Sequence, residues 1–142
     1  MGKKRIVTEE SKESEAKVPA VSAVSKKKAD NGILFIESTY NNTKLVLTDS
    51  KGNVLATSSS GGIGFKGAKK GTPFAAAKVG EILGGKASTM GMREVAVVVK
   101  GVGSGRESGI RGFISKGINI TSIKDVTAVP HNGPKPKKPR RV

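Results

Sequence analysis

The sequence predicts a single α/β domain, a five-stranded mixed sheet carrying two helices, with disordered basic tails. The local patterns follow the order β-β-β-α-β-α-β, and the 142 residues suffice for one domain of ordinary size. Both ends are rich in lysine and poor in large apolar side chains, so they bury too little surface to offset the entropy of ordering. We therefore expect a disordered arm over 1–30, a folded domain over 31–130 and an extended basic tail over 131–142.

The first three strands are predicted to form an antiparallel meander. The β-forming residues at 33–36 predict the first strand, and the Asn41-Asn42 pair turns the chain into a second strand at 45–47. A turn at 49–53 then leads into a third strand at 54–57. The first and third strands therefore run in the same direction.

A helix is predicted over about 73–90, because Thr72 is a suitable N-cap and Pro73 is favoured at the first helical position. The Gly84-Gly85 pair costs about 1 kcal/mol per glycine inside a helix, and it predicts a kink or break there. The expected buried stripe consists of Ala75, Val79, Ile82 and Leu83.

A second strand-helix-strand unit completes the predicted domain. The continuous apolar run at 95–99 indicates a central strand covered on both faces. Ser104 and Glu107 have the spacing of a capping box, in which each side chain accepts a hydrogen bond from a backbone N–H at a helix start. Gly117 is a suitable end for this helix. The other expected core positions are Ile110, Phe113 and Ile114 in the helix and Ile118, Ile120, Ile123 and Val126 in the last strand.

One edge of the sheet is the predicted ligand site. Right-handed crossovers make every strand except the second parallel, so four loops leave the sheet at its carboxyl edge. Open α/β sheets bind ligands at that edge. The four loops are the Asn41-Asn42 turn, the glycine-rich segment 61–73, the glycine-rich segment 101–106 and the tail.

The charge of the chain predicts a polyanionic partner. The 26 Lys and Arg residues outnumber the 11 Asp and Glu residues, and the formal net charge is +15. This balance favours nucleic acid over an anionic membrane. No cysteine and one histidine leave little for a metal site, and no apolar run is long enough to span a membrane. We expect a cytoplasmic chain without a metal, cofactor or small-molecule substrate.

Several basic residues are predicted to bind phosphate. Glycine N–H groups in segment 61–73 can approach an anion closely, and Lys66, Lys69 and Lys70 add charge. Arg106, beside the second glycine segment, can grip phosphate through its planar guanidinium. Neither segment has the spacing of a nucleotide-binding motif. Prolines hold the tail extended along a phosphate chain. Its basic residues are Lys135, Lys137, Lys138, Arg140 and Arg141.

Other readings of these features are open. Both the glycine segments and the tail can be ordinary solvated chain. A metal-dependent nuclease needs clustered carboxylates, whereas the acidic residues of the domain lie on separate elements. A second alternative is a DNA-compacting protein, which would bind duplex DNA with about the same affinity as ribosomal RNA. Most aromatic rings lie at core spacing, which predicts recognition by RNA charge and shape, while Phe65 could stack on a base or fill the core.

Five motifs lie in unbroken order over about residues 31–142: Tyr40-Asn41-Asn42-Thr43, the segments 61–67 and 72–76, Gly105-Arg106-Glu107-Ser108 and Pro130-His131-Asn132-Gly133. They resemble the small-subunit ribosomal protein eleven family in its bacterial form. The resemblance implies a ribonuclease-H-like topology and a place on the platform of the small subunit. Such proteins bridge helices of the small-subunit ribosomal RNA and help form the cleft for the Shine-Dalgarno pairing. The implied partners are this RNA, the messenger near that pairing, and the seventh and eighteenth small-subunit proteins.

The chain departs from the family pattern at Val102, Ser104 and Pro134. The family often has prolines in the loop that contains Val102 and Ser104, and a cysteine after the His-Asn-Gly motif. Because Gly133 leaves the following amide unhindered, Asn132 is also a candidate for cyclisation to isoaspartate, which peptide mapping with an isoaspartyl methyltransferase would detect. The RNA contacts that the resemblance implies are Asn41, Asn42, Lys66, Lys69, Lys70, Arg106, His131, Asn132, Lys135, Lys137, Lys138, Arg140 and Arg141.

Overall fold

The computed structural model describes residues 29–141, so nearly all of the arm predicted over 1–30 lies outside it. The sheet consists of β1 (Asn31–Ser38), β2 (Thr43–Asp49), β3 (Val54–Ser59), β4 (Glu94–Lys100) and β5 (Asn119–Asp125). A short 3-10 helix (Gly67–Gly71) precedes α1 (Pro73–Thr89), and α2 (Gly105–Ile114) connects β4 to β5. The prediction of one α/β domain with a five-stranded mixed sheet and two helices is confirmed.

The strands lie in the order β3-β2-β1-β4-β5, with β1 at the centre. β2 pairs antiparallel with both of its neighbours, whereas β1, β4 and β5 pair in parallel. All strands except β2 therefore run in the same direction, as predicted. In the centre of the sheet, Phe35 lies opposite Val46 on one side and Val98 on the other.

Both helices pack on one face of the sheet. From β3 to β4 and from β4 to β5 the chain moves across the sheet in the same direction, so right-handed connections place both helices on the same side. The prediction that 95–99 is covered on both faces is therefore wrong. On the open face, Phe35 is 39% exposed and Val98 is half-buried. The buried strand residues under the helices include Leu34, Ile36, Leu45, Leu47, Val95, Val97 and Val99.

Helix α1 begins as predicted but continues where a break was expected. The Thr72 hydroxyl accepts a hydrogen bond from the Ala75 N–H at 3.3 Å, which confirms the N-cap. The helix runs unbroken to Thr89 because Gly84 lies against α2, where a Cβ atom would lie 2.8 Å from the Phe113 carbonyl oxygen. Ile82 is 42% exposed, so its predicted burial is wrong.

The predicted capping box at the start of α2 is also wrong. Ser104 has helical angles (φ −70°, ψ −12°), and its side chain caps no N–H of the helix. The Ser104 hydroxyl instead donates to the Gly71 carbonyl at 2.9 Å, since that carbonyl lies beside the helix start. At the other end, the helix ends at Ile114 with Ser115 as its C-cap, so the prediction that Gly117 caps it is wrong by two residues. Gly117 has a φ of +82° and its N–H donates to the Ile114 carbonyl, so it turns the chain just beyond the cap.

Several large apolar side chains are more exposed than the sequence predicts. Phe113 is fully buried, but Tyr40 lies in a turn and is 79% exposed, and Phe74 lies in the first turn of α1 and is 63% exposed. The prediction that most aromatic rings belong to the core is therefore wrong. β5 lies at the edge of the sheet, where the helices do not fully cover it, and Ile123 is therefore 61% exposed. Ile114 and Val126, which follow the same trend, are 43% and 41% exposed.

Candidate nucleic-acid interface

Four loops meet at the carboxyl edge of the sheet, as the strand directions predicted. The loop between β4 and α2 is joined to its neighbours on both sides. The Gly103 N–H donates to the Ser38 carbonyl at the end of β1, at 2.9 Å. The Gly101 N–H donates to the Thr127 hydroxyl, just after β5, at 3.2 Å. These loops therefore form one connected surface, which we call the carboxyl edge.

Ser60, which follows β3 and is fully buried, joins two of these loops. Its hydroxyl oxygen lies 2.6 Å from Asn42 Oδ1 and 2.8 Å from the Lys70 carbonyl oxygen, and it accepts from the Thr43 N–H at 3.2 Å. A hydroxyl carries one proton, so it can donate to only one of the two oxygens at a time. Asn42 is half-buried and held by this contact, whereas Asn41 beside it is exposed.

The lysine segment is pressed against the β1–β2 turn at Gly71. A Cβ atom at this position would overlap the Tyr40 carbonyl oxygen, so only glycine allows the two backbones to approach so closely. The Gly71 carbonyl in turn accepts the hydrogen bond from Ser104. Gly71 thus places the lysine segment between the turn after β1 and the start of α2.

Three lysines project from this anchored backbone. Lys66 and Lys69 are exposed and Lys70 is half-buried, in and beside the 3-10 helix Gly67–Gly71. Within residues 29–141, the ion pairs are Lys78–Glu81, Arg106–Asp125 and Arg111–Glu107. In that part of the chain, the three ammonium groups therefore have no carboxylate partner and are available to an external anion.

Arg106 is held by the protein itself. Its guanidinium donates to the Gly101 carbonyl, the Thr127 hydroxyl and the Asp125 carboxylate. Hydrogen bonds from the Thr127 hydroxyl, the Arg106 guanidinium and the Thr127 N–H hold the pKa of Asp125 below its ordinary value. The Arg106 side chain is 32% exposed in this pair. It therefore fastens the loop after β4 to the segment after β5.

We predict that Arg106→Ala and Asp125→Ala each lower the free energy of unfolding of the domain. The double variant should lose less free energy of unfolding than the sum of the two single losses. Since the pKa of Asp125 is lowered by folding, its contribution is present above the unfolded carboxyl pKa of about 3.9 and is lost as pH falls below it. Urea unfolding at neutral and acidic pH measures both effects. Arg111→Ala is the matched control, because its pair with Glu107 is about 80% exposed.

Additive losses would contradict the pairing of Arg106 with Asp125. The salt dependence of RNA binding distinguishes a role of Arg106 in holding the loops from direct contact with phosphate. If Arg106 mainly holds the loops, the salt dependence of binding stays the same in Arg106→Ala. A fall of about 0.7–0.9 in the slope of log K against log salt would instead mark one lost phosphate contact.

The chain after β5 continues past the edge without helix or strand. His131 and Asn132 are exposed, and Asn132 has a positive φ of 57°. This left-handed conformation is one that asparagine adopts more readily than most residues. The five basic residues from Lys135 to Arg141 are exposed as well. The tail thus extends the positive surface of the carboxyl edge.

The predicted binding residues divide into two groups in the structure. Asn42 and Arg106 are engaged inside the protein, whereas the others are exposed except for the half-buried Lys70. The exposed ones are Asn41, Lys66, Lys69, His131, Asn132 and the basic residues of the tail. The sequence reasoning missed Ser60 and the exposure of Tyr40 and Phe74. Ser60 ends a Ser58-Ser59-Ser60 run beside glycines and has the composition of an ordinary loop. No local signal marked it as buried.

Within residues 29–141, no group of three or more His, Cys, Asp or Glu side chains is placed to hold a metal ion. Neither α-helix in that part of the chain is long and apolar enough to cross a membrane. Comparison with models of known protein families matches residues 32–141 to the family described as Ribosomal protein S11. The match covers most of the chain and includes all four loops of the carboxyl edge.

Proposed function

Because the chain belongs to the ribosomal protein S11 family and is thus an rRNA-binding structural protein of the small ribosomal subunit, we propose that its carboxyl edge is the RNA-binding surface. The gathering of four loops around Lys66, Lys69 and Lys70 carries this proposal. Their ammonium groups have no carboxylate partner in the described residues, and a phosphate chain supplies the missing charge. Backbone phosphate contacts of this kind position a protein on RNA.

The two groups of edge residues have different roles in this proposal. Asn42 and Arg106 mainly position the loops, because their polar groups already have protein partners. The remaining residues are free to contact RNA directly, and isoaspartate at Asn132 would alter the backbone at the base of the tail. The proposed direct contacts are Asn41, Lys66, Lys69, Lys70, His131, Asn132, Lys135, Lys137, Lys138, Arg140 and Arg141.

The tail suits a protein that bridges RNA helices. Its prolines favour an extended chain of about 3.1 Å per residue, so residues 131–141 reach roughly 30 Å beyond the folded domain. That length exceeds the width of an RNA duplex, and the edge and the tail can therefore lie on different helices. The other proposed boundaries are an arm over 1–30, nearly all of which lies outside the described residues, and a folded domain over 31–130.

We place this function on the platform of the small subunit in the cytoplasm, where the protein would contribute to the cleft for the Shine-Dalgarno pairing of the messenger. The seventh and eighteenth small-subunit proteins are its proposed neighbours. We also propose that the fold is ribonuclease-H-like. The strand order β3-β2-β1-β4-β5, with β2 alone reversed, supports that relation.

The test is competition between small-subunit ribosomal RNA and duplex DNA at physiological salt. We expect the ribosomal RNA to be preferred, since duplex DNA offers charge without the matching RNA shape. The full chain should also cosediment with small subunits after a high-salt wash. Equal affinity for both nucleic acids, or complete release by salt, would argue for a general DNA-compacting protein instead.

A further inference from the structure

Aromatic rings stand exposed beside the lysines of the carboxyl edge. Tyr40 lies in the turn after β1 and Phe74 in the first turn of α1, and they are 79% and 63% exposed. Gly71, whose backbone touches the Tyr40 carbonyl group, lies three residues before Phe74. Phosphate binding by lysine needs neither ring. The exposed rings at this edge therefore suit a ligand that has an apolar face as well as charge.

Phe74 is held in place by its surroundings. Its ring packs edge-to-face with that of Phe65, with the ring centres 6.1 Å apart and the planes at 84°. Lys78 Nζ lies 5.8 Å from the centre of the Phe74 ring, within the range of a cation–π contact. The Thr72 cap fixes the helical turn that carries Phe74. A ring fixed in this way loses little conformational entropy when a ligand covers it.

We propose that Tyr40 and Phe74 stack on unpaired nucleobases of the RNA. A nucleobase offers a flat π face, and the phosphate joined to it can reach a neighbouring lysine. Bases inside a duplex have no free face, so the ligand must be a loop, bulge or single-stranded segment. This inference rests on the proposed function and adds the class of RNA structure that the edge recognises.

The test compares a 12-nucleotide single-stranded RNA with an RNA duplex of 12 base pairs. In the full chain carrying Tyr40→Leu and Phe74→Leu, affinity for the single strand should fall about fivefold or more per ring, which corresponds to the usual strength of base–aromatic stacking. Affinity for the duplex, and the salt slope with either RNA, should not change because no charge is removed. Tyr40→Phe should retain the wild-type affinity, since it keeps the ring.

Phe35→Leu on the open face of the sheet is the matched control, and it should bind like the wild type. Unchanged single-strand affinity in the double leucine variant, or an equal loss with both RNAs, would overturn the stacking role. Circular dichroism and thermal unfolding verify that the variants fold. Failure of the proposed function would look different, because the wild type itself would then show no preference for small-subunit ribosomal RNA over duplex DNA.

Discussion

Replacing Lys66, Lys69 and Lys70 together with glutamine should lower the affinity for small-subunit ribosomal RNA and flatten its salt dependence. Each neutralised phosphate contributes about 0.7–0.9 to the slope of log K against log salt, so three contacts contribute roughly two to three. The effect is expected because the three ammonium groups lack carboxylate partners in residues 29–141. Filter binding over a range of salt concentrations measures both quantities.

The matched control replaces Lys51, Lys86 and Lys116 with glutamine. This variant removes the same charge from the opposite end of the domain. Lys51 lies in the β2–β3 turn, Lys86 in the last turn of α1 and Lys116 after α2. This variant should keep most of the slope. An unchanged slope in the Lys66, Lys69 and Lys70 variant would remove that segment from the interface. Equal losses in both variants would show that net charge matters and the edge does not.

Gly80→Ala should destabilise the domain by about 1–3 kcal/mol, the usual cost of overpacking. Gly80 lies where α1 crosses α2, and a Cβ atom there would overlap the Gly109 carbonyl oxygen and lie 2.8 Å from the Phe113 nitrogen. Both are backbone atoms, so the helices must move apart. Helix propensity alone predicts the opposite sign, because alanine is better than glycine in a helix by about 1 kcal/mol.

Gly85→Ala in the same helix separates these two effects. Apart from the neighbouring backbone of α1 itself, nothing lies within 4 Å of a Cβ placed at Gly85, so this substitution should raise the free energy of unfolding by about 0.5–1 kcal/mol. Urea unfolding of both variants gives the comparison. If both substitutions stabilise the protein, the two helices do not pack as closely as described.

The features that the sequence predicts correctly depend mainly on residues close together in the sequence. The Asn41-Asn42 turn, the Thr72 cap and the parallel direction of four strands follow from short-range signals and from the handedness of crossovers. The same crossover argument, applied to the order of the strands, would also have placed both helices on one face. The apolar run at 95–99 alone does not contain that order, and by itself it predicts cover on both faces.

Features that depend on distant contacts were predicted poorly. Gly84 has the same local cost as any helical glycine, and only the approach of α2 explains why the helix continues there. Ser104 and Glu107 have the spacing of a capping box, but the Gly71 carbonyl competes for the Ser104 hydroxyl from another loop. No pattern in the sequence reports such a competitor.

The predicted binding residues show the same division. The exposure of Lys66, Lys69 and the basic tail is predictable from composition and spacing, because an exposed charge needs no tertiary partner. The chemistry of Arg106 predicts a phosphate contact, but its guanidinium donates to Asp125, which lies nineteen residues away in the sequence. The prediction that most aromatic rings belong to the core fails at Tyr40 and Phe74, because a ring at an apolar spacing looks the same in the sequence whether or not it is covered.

The direction of the strands also decides where a reporter group can be attached. The β2–β3 turn lies at the opposite end of the sheet from the carboxyl edge, and a seven-residue strand such as β2 spans about 23 Å. The sequence contains no cysteine, and Ser50 is exposed in that turn. Ser50→Cys would therefore carry a single dye that reports the distance to bound RNA by energy transfer while leaving the four loops untouched.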